Sequence, residues 1–265
     1  MVLNVKEGTI KVNDIEMDYI RFGKGKKNLI MIQGLNTNGI KGNGLMLSLM
    51  YSIFAKDYTV YLFDRRKELY EDITIETLAD DLALAMNHFN IDSADIFGVS
   101  QGGMIAQSLA IRYPSLVNKM VLALTLSKNN NVVENVIQHW VDLTKQDKYK
   151  ELIIDMAYKM YSDSYIKKYK AFLSLLTLVQ KPKDKERFIR LALSCLTCDT
   201  HERLEEITCP VLVIGARDDK IVGCDASKEI AEKLNCEFYI YENLGHAAYE
   251  EAKDFNRRVY EFLVK

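Results

Sequence analysis

Residues 94–103 read Ala-Asp-Ile-Phe-Gly-Val-Ser-Gln-Gly-Gly, and this stretch decides the fold. The mostly apolar stretch 94–98 predicts a short buried strand, and the apolar pattern from Met104 to Tyr113 predicts a helix that ends before Pro114. Between the two lies Gly98-x-Ser100-x-Gly102, the pattern of a tight strand-to-helix turn that exposes a serine hydroxyl above a sheet. Glycines on both sides remove Cβ atoms that would otherwise clash in such a turn. The stretch therefore predicts that Ser100 is a nucleophile, the alternative being a chance match in a glycine-bearing turn.

Strands and helices are predicted to alternate on both sides of this turn. Two alternating stretches, 9–12 and 16–22, favour half-exposed antiparallel strands, whereas the later apolar runs favour strands covered on both faces. This succession predicts an α/β fold with a mostly parallel sheet of about eight strands and helices on both faces. The further predicted strands are 29–32, 59–63, 119–124, 211–214 and 237–241, and the further helices are 45–54, 75–89, 226–234 and 251–263.

Residues 128–206 interrupt this alternation. They contain four predicted helices in succession, at 132–144, 151–161, 165–178 and 185–195. We therefore expect a core formed by residues 1–127 and 207–265, with 128–206 inserted as a helical cap. Most large side chains of the cap are expected to pack between its helices, and some are expected to face a cleft beneath the cap. These side chains are Trp140, Met156, Tyr158, Met160, Tyr161, Tyr165, Tyr169, Phe172 and Phe188.

A nucleophilic serine needs a base and an acid, and few residues qualify. Of the four histidines, only His246 stands directly after a predicted buried strand, where parallel sheets place their catalytic groups. Asp218 and Asp219 also follow a strand end, and either one would orient the imidazole. The chain order serine, aspartate, histidine is that of a triad on such a sheet. The pattern itself leaves the choice between the two aspartates open.

The stretch Gln33-Gly34-Leu35 follows another predicted buried strand. A glycine at this place lets the backbone bend so that the next amide faces the substrate. We expect the backbone N–H groups of Leu35 and Gln101 to form the oxyanion hole, because Gln101 is the residue after the nucleophile. Gly34 as a simple strand-ending turn is the alternative.

Composition excludes several function classes. The formal net charge is -2, with 48% hydrophobic and 27% charged residues, and no basic stripe is present, so no nucleic-acid partner is expected. No apolar run is long enough for a membrane span, and the first residues lack the pattern of a signal peptide. Five cysteines, an odd number, favour reduced thiols. We therefore expect a cytoplasmic protein that acts on a small molecule.

These motifs together resemble the α/β-hydrolase family, in its capped, serine-esterase-like branch. The resemblance implies that Ser100, Asp219 and His246 form the catalytic triad, with Asp219 preferred because Asp219-Lys-Ile-Val is similar to the sequence that follows the acid of the family. It covers nearly the whole chain outside the cap. It is carried by Gln33-Gly34, Phe63-Asp64-Arg65, Gly98-Val-Ser100-Gln-Gly-Gly, Tyr113-Pro114, Val121-Leu122, Gly215-Ala-Arg-Asp-Asp219-Lys-Ile-Val and Gly245-His246-Ala.

Two departures from the family pattern concern residues near the predicted site. Gln33 stands where the family usually has a histidine that supports the oxyanion loop. Arg65-Arg66-Lys67 stand after Asp64, where the family often has glycines. We expect these cations to be solvated, or one of them to line the rim of the pocket.

The function that follows is hydrolysis of a small, mostly apolar carboxylic ester through an acyl-enzyme. No metal or organic cofactor is needed for this chemistry. Lactones, thioesters and carbon–carbon bonds are alternative targets of the same triad. A relative of the fold that binds a ligand without turnover is the alternative from another class.

Overall fold

A computed structural model describes residues 3–170 and 181–265 of the chain. It contains one eight-stranded sheet with the order β1-β2-β4-β3-β5-β6-β7-β8. β2 runs antiparallel to both β1 and β4, and the remaining neighbours are parallel. The predicted fold class is therefore confirmed. The strands are β1 Lys6–Val12, β2 Ile15–Phe22, β3 Lys27–Ile32, β4 Tyr58–Phe63, β5 Ala94–Val99, β6 Val117–Ala123, β7 Val211–Ala216 and β8 Glu237–Tyr241.

Helices cover both faces of the sheet. Every residue of β4, β5 and β7 is buried, because side chains on both faces of these central strands meet helices. Helices α2, α3 and α8 pack on one face, and α1 and α10 pack on the other. The helices are α1 Gly44–Met50, α2 Ile75–His88, α3 Gln101–Arg112, α4 Asn131–Lys145, α5 Tyr149–Met160, α6 described over 163–170, α7 Lys185–Ser194, α8 Cys224–Leu234, α9 Ala248–Glu251 and α10 Phe255–Val264.

Three helix predictions differ from the structure. The predicted helix 45–54 is α1 followed by a separate 3-10 turn, Ser52–Lys56. The predicted closing helix 251–263 starts four residues before α10, because Ala252 adopts an extended conformation (φ -80, ψ 114) that separates α9 from α10. The predicted helix 165–178 coincides with α6 as far as residue 170, and its remainder lies outside the described residues. Over the described ranges, no helix is long and apolar enough to cross a bilayer.

A block of helices connects β6 to β7. It contains α4, α5, α6 and α7, and its two ends meet where Lys128 and Asp199 form an isolated β-bridge. Next to this bridge the amide of Thr200 donates to the carbonyl of Ser127 at 2.7 Å. The two ends of the block thus lie next to each other, and the boundaries 128–206 for a cap remain a prediction.

The turn between β5 and α3 depends on close backbone contacts. A Cβ atom built on Gly102 would lie 2.0 Å from the carbonyl oxygen of Ile32, and one built on Gly98 would lie 2.5 Å from the carbonyl oxygen of Gly102. Both distances are far below van der Waals contact. The first turn of α3 can therefore touch the end of β3 only while position 102 has no side chain.

Gly102→Ala tests this contact. Alanine normally stabilises a helix relative to glycine by about 0.5–1 kcal/mol, but here we expect a loss of at least about 3 kcal/mol from overpacking. Gly42→Ala is the matched control: its Cβ would meet nothing within 4 Å, although its φ of +86 is unfavourable, so about 1–2 kcal/mol should be lost. Urea denaturation measures both. Equal stability of the two variants would contradict the steric argument.

Candidate active site

Ser100 occupies a strained backbone position at the tip of the turn. Its φ of 54 and ψ of -122 lie in a region that residues with a side chain rarely adopt. The conformation is held from both sides. Its amide donates to the carbonyl of Ala123 at 2.9 Å, and its carbonyl accepts from the hydroxyl of Thr125 at 2.8 Å. Strand β6 and the loop after it thus stabilise the strained conformation of Ser100. In this conformation Ser100 lines a cavity at the end of the sheet.

His246 and Asp219 form a buried pair next to this cavity. Nδ1 of His246 lies 2.8 Å from Oδ2 of Asp219, and the two side chains are 5% and 2% exposed. The other carboxylate oxygen accepts from the amides of Ile221 at 2.9 Å and Val222 at 3.1 Å. An ionised carboxylate only accepts, so the proton of a neutral imidazole resides on Nδ1. Nε2 is then free to accept a proton, which is the state that a general base requires.

Asp219, rather than Asp218, contacts His246 in the structure. The side chain of Asp218 is exposed, and its amide donates to the carbonyl of Leu244 at 3.0 Å. The two aspartates therefore share a loop but differ in role: one contacts the imidazole and the other ties two loops together. The remaining histidines lie away from this cavity: His88 is exposed, His139 is beside Asp155, and His201 is beside Ser127.

The loop that carries His246 is also attached to the helical block. The amide of Ala247 donates to the carbonyl of Met160, at the end of α5, at 2.7 Å. Gly245 lies so close to the same carbonyl that a Cβ atom there would be 2.8 Å from it. The position of the imidazole thus depends on the loop that carries Asp219 on one side and on α5 on the other.

The predicted oxyanion residues flank Ser100. A Cβ atom on Gly34 would lie 3.1 Å from Cβ of Ser100, so the loop that carries Leu35 contacts the nucleophile directly. Gln101 is the first residue of α3, where helical amides lack an intrahelical acceptor. In the part of the chain that the structure describes, neither the Leu35 nor the Gln101 amide donates a hydrogen bond. Both amides are therefore available to a substrate oxygen.

Ser100 and His246 line the same cavity. In the described structure their side chains do not form a hydrogen bond with each other. Such contacts are often long in unliganded enzymes and tighten only when substrate binds. About 40 Å³ of the cavity accepts the centre of a water molecule, which is enough room for a few waters. The lining residues are Gly34, Leu35, Val99, Ser100, Met104, Val133, Ile137, Trp140, Met156, Met160, Cys195, Ile221, Val222, His246 and Tyr249.

This lining is apolar around a few reactive groups. Among the described residues it contains no lysine, arginine, aspartate or glutamate. The one polar group of Trp140 is engaged elsewhere, because its indole N–H donates to Asp155 at 2.7 Å. Of the large cap side chains expected to face a cleft, Trp140, Met156 and Met160 do so, and Phe172 lies outside the described residues. The others are not part of the cavity wall.

Two further lining residues carry ionisable groups that stay neutral. Burial raises the pKa of the Cys195 thiol to about 12, so this cysteine is not a competing nucleophile at neutral pH. Burial also raises the pKa of Tyr249 well above its usual range. Ser100 and His246 are therefore the groups of the lining that can carry nucleophilic chemistry.

The expectation for the cations after Asp64 was wrong for Arg65 and Arg66, whereas Lys67 is exposed as expected. Arg65 and Arg66 are buried, at 6% and 7% exposure, and neither belongs to the lining of the cavity. Arg65 donates to the carbonyl of Gln33 and to the side chain of Gln101, and Arg66 forms an ion pair with Asp81. Each finds its acceptors on distant segments, which a run of three cations in the sequence does not reveal. Lys67 lies beside Glu16.

Comparison with known proteins agrees with this architecture. A family model described as the alpha/beta hydrolase fold matches residues 27–253. A 2-hydroxy-6-oxononadienedioate/2-hydroxy-6-oxononatrienedioate hydrolase of Dechloromonas aromatica is 28% identical, over 98% of this chain and 94% of the relative.

Two solved structures show the same fold. The enzyme MGS-M2 from a Medee basin deep-sea metagenome library superimposes with a TM-score of 0.86 at 23% identity, covering 97% of this chain and 98% of that one. The enol-lactonase of Burkholderia xenovorans gives 0.85 at 20% identity, covering 97% and 100%. The family-model match spans most of the chain, and the sheet order, the turn at Ser100 and the buried His246–Asp219 pair accompany it. The chain belongs to the α/β-hydrolase fold family.

Proposed function

We propose that this protein is a serine hydrolase that cleaves a small, uncharged and mostly apolar carboxylic ester through an acyl-enzyme. The observation that carries the proposal is the buried His246–Asp219 hydrogen bond beside the same cavity that Ser100 lines. A nucleophile, a base and an acid that orients the base are the parts that this chemistry needs. No metal or organic cofactor takes part. Residues 128–206 act as the cap over this cavity.

The first half of the reaction forms the acyl-enzyme. Nε2 of His246 takes the proton of the Ser100 hydroxyl while Oγ attacks the ester carbonyl carbon. The carbonyl oxygen becomes an oxyanion that accepts hydrogen bonds from the amides of Leu35 and Gln101. Asp219 stabilises the imidazolium that results. The carbon–oxygen bond to the alcohol then breaks, and the alcohol leaves with the proton from His246.

The second half releases the acid. Water donates its proton to His246 and attacks the acyl carbon, and the same two amides again stabilise the oxyanion. The bond between the carbon and Oγ of Ser100 breaks, and the serine recovers its proton from His246. The apolar walls limit the water near the acyl group, which strengthens the hydrogen bonds of the oxyanion hole.

The charge of the lining favours an uncharged substrate. A carboxylate on the acyl chain would be buried without a cation among the described lining residues, at a cost of several kcal/mol. Residues 171–180, which lie outside the described part, contain no ionisable side chain in their sequence. The Dechloromonas relative is named for a dicarboxylate substrate, the oxononadienedioate. A neutral ester therefore suits this cavity better than a substrate of that class.

Covalent labelling tests the nucleophile. A fluorophosphonate should add once to the wild-type protein and not to Ser100→Ala, because only an activated serine displaces the fluoride. Intact mass spectrometry detects the adduct, and a thermal melt confirms that the variant is folded. An unlabelled, well-folded wild type would favour the ligand-binding alternative over turnover.

The two aspartates provide a matched pair of variants. Asp219→Asn should lower kcat for a p-nitrophenyl ester by roughly 10⁴-fold, because the amide no longer orients and stabilises the imidazole. Asp218→Asn changes an exposed neighbour on the same loop and should stay within about threefold of wild type. A larger loss in Asp218→Asn than in Asp219→Asn would reverse the assignment of the acid.

A pair of esters tests the preference for an uncharged acyl chain. p-Nitrophenyl valerate and mono-p-nitrophenyl glutarate have acyl chains of the same length, but only the glutarate carries a terminal carboxylate. We expect kcat/KM to be at least about 100-fold higher for the valerate, since burying an unpaired carboxylate costs roughly 3 kcal/mol or more. Comparable values for the two esters would refute an uncharged acyl preference.

A further inference from the structure

Arg65 is a buried cation with acceptors on two separate segments. Its Nη2 donates to the carbonyl oxygen of Gln33, and its Nε and Nη2 lie 3.3 and 3.0 Å from Oε1 of Gln101. Asp64 also accepts from the Arg65 amide at 2.8 Å, which fixes the backbone that carries the guanidinium. The planar fork of an arginine can hold two acceptors in a fixed relative orientation. Arg65 therefore connects the loop after β3 to the first residue of α3.

The contact with Gln33 controls the loop that carries Leu35. The Gln33 carbonyl belongs to the peptide that leads into Gly34, and glycine allows that peptide many orientations. With its oxygen held by Arg65, the peptide has one orientation, and the amide of Leu35 follows two residues later. Gly34 touches Ser100, so a rotation here would move the Leu35 amide relative to the nucleophile.

The contact with Gln101 controls the second donor. Oε1 of this 1%-exposed side chain accepts from Arg65, and Nε2 donates to the carbonyl of Leu191 at 2.7 Å and to the hydroxyl of Ser194 at 3.2 Å. Every polar atom of the amide is thus engaged, which leaves one rotamer. A fixed side chain restrains the backbone of Gln101, whose N–H is the second oxyanion donor. It also ties the start of α3 to α7.

We propose that Arg65 is a positioning residue that holds the Leu35 and Gln101 amides at the separation the oxyanion requires, through the Gln33 carbonyl and the Gln101 side chain. The proposal rests on the proposed function. It assigns a role to a residue that lies outside the triad and outside the lining of the cavity. The loop after β3 is thus supported through its main chain by an arginine that lies two residues beyond the end of β4.

The chemistry of the position favours arginine over other residues. Burial lowers the pKa of Arg65 to about 10, and the nearby Asp64 acts in the opposite direction. The guanidinium thus remains charged at neutral pH. A lysine could donate to either acceptor but lacks the planar fork that holds both. A methionine of similar length would leave the Gln33 carbonyl and Oε1 of Gln101 without their donor.

Two variants and two inhibitors test the proposal. In Arg65→Met we expect kcat for p-nitrophenyl valerate to fall by about 10–100-fold with little change in KM, as for misplaced oxyanion donors. Arg65→Lys should recover part of this loss. 1,1,1-Trifluoro-2-heptanone adds to Ser100 to give a hemiketal oxyanion, with the serine proton passing to His246, whereas 2-heptanone binds without addition. Only the affinity for the trifluoro ketone should fall in parallel with kcat.

The matched control is Arg66→Met/Asp81→Asn. It removes the buried arginine next in sequence without leaving an unpaired carboxylate, and it should keep kcat and the affinity for the trifluoro ketone within about threefold of wild type. Arg65→Met with wild-type kcat and wild-type ketone affinity would overturn the proposal. Equal losses for the two ketones, or equal losses in the control, would also do so, because they indicate a general packing defect.

A crystal structure of Arg65→Met separates this inference from the proposed function. We expect the Gln33–Gly34 peptide or the Gln101 side chain to rotate away from its wild-type orientation. If both keep their places, Arg65 does not position them, whatever the activity of the wild type. If wild type is neither labelled nor active while the peptide does rotate, the proposed function fails and the positioning contact stands.

Discussion

The close contact between the first turn of α3 and the end of β3 is the constraint on which the site depends. Position 102 has no room for a Cβ atom beside the Ile32 carbonyl, and position 98 has none beside the Gly102 carbonyl, so the turn through Ser100 needs both glycines. The strained backbone conformation of Ser100 costs of the order of 1–3 kcal/mol. Hydrogen bonds to β6 and to the loop after it offset this cost. A side effect of the same geometry is that the Gln101 amide has no helical acceptor and is open to substrate.

Burial of the His246–Asp219 pair adds a second constraint. A carboxylate can be buried when its oxygens are hydrogen-bonded, and Asp219 has the imidazole on one oxygen and two backbone amides on the other. These partners lie on loops that are linked in turn: the Asp218 amide binds the Leu244 carbonyl, and the Ala247 amide binds the carbonyl of Met160 in α5. The helical block therefore helps to hold the loop that carries His246, in addition to the role of cap that we propose for it.

The sequence was sufficient for the sheet and for the strand-to-helix turn at Ser100, because each depends on local pattern or on the order of strand ends. It also predicted an aspartate beside His246, but the pattern left Asp218 and Asp219 open, and only the resemblance to the family favoured Asp219. The break at Ala252 was not predicted, since the apolar spacing continues through it, whereas the extended backbone of Ala252 ends α9 before α10 begins. The burial of Arg65 and Arg66 was missed for a related reason. Their acceptors lie between 15 and 36 residues away along the chain, so the adjacent residues in the sequence do not indicate which groups accept from these arginines.

The location of the arginines also explains why the cavity suits a neutral group. Arg187 and Arg190 of α7 are directed to the loop after β4, where they donate to backbone carbonyls of Arg65, Arg66 and Leu69. Arg65 in turn is engaged by Gln33 and Gln101. Each of these cations joins the helical block or the loop after β3 to the core, and none belongs to the described lining of the cavity. To bind a carboxylate, one of them would have to leave buried carbonyls unpaired, at a cost of about 1–3 kcal/mol for each lost partner. The arrangement that we propose to hold the oxyanion donors in place is thus the same arrangement that leaves the cavity without a cation to pair with an anionic substrate.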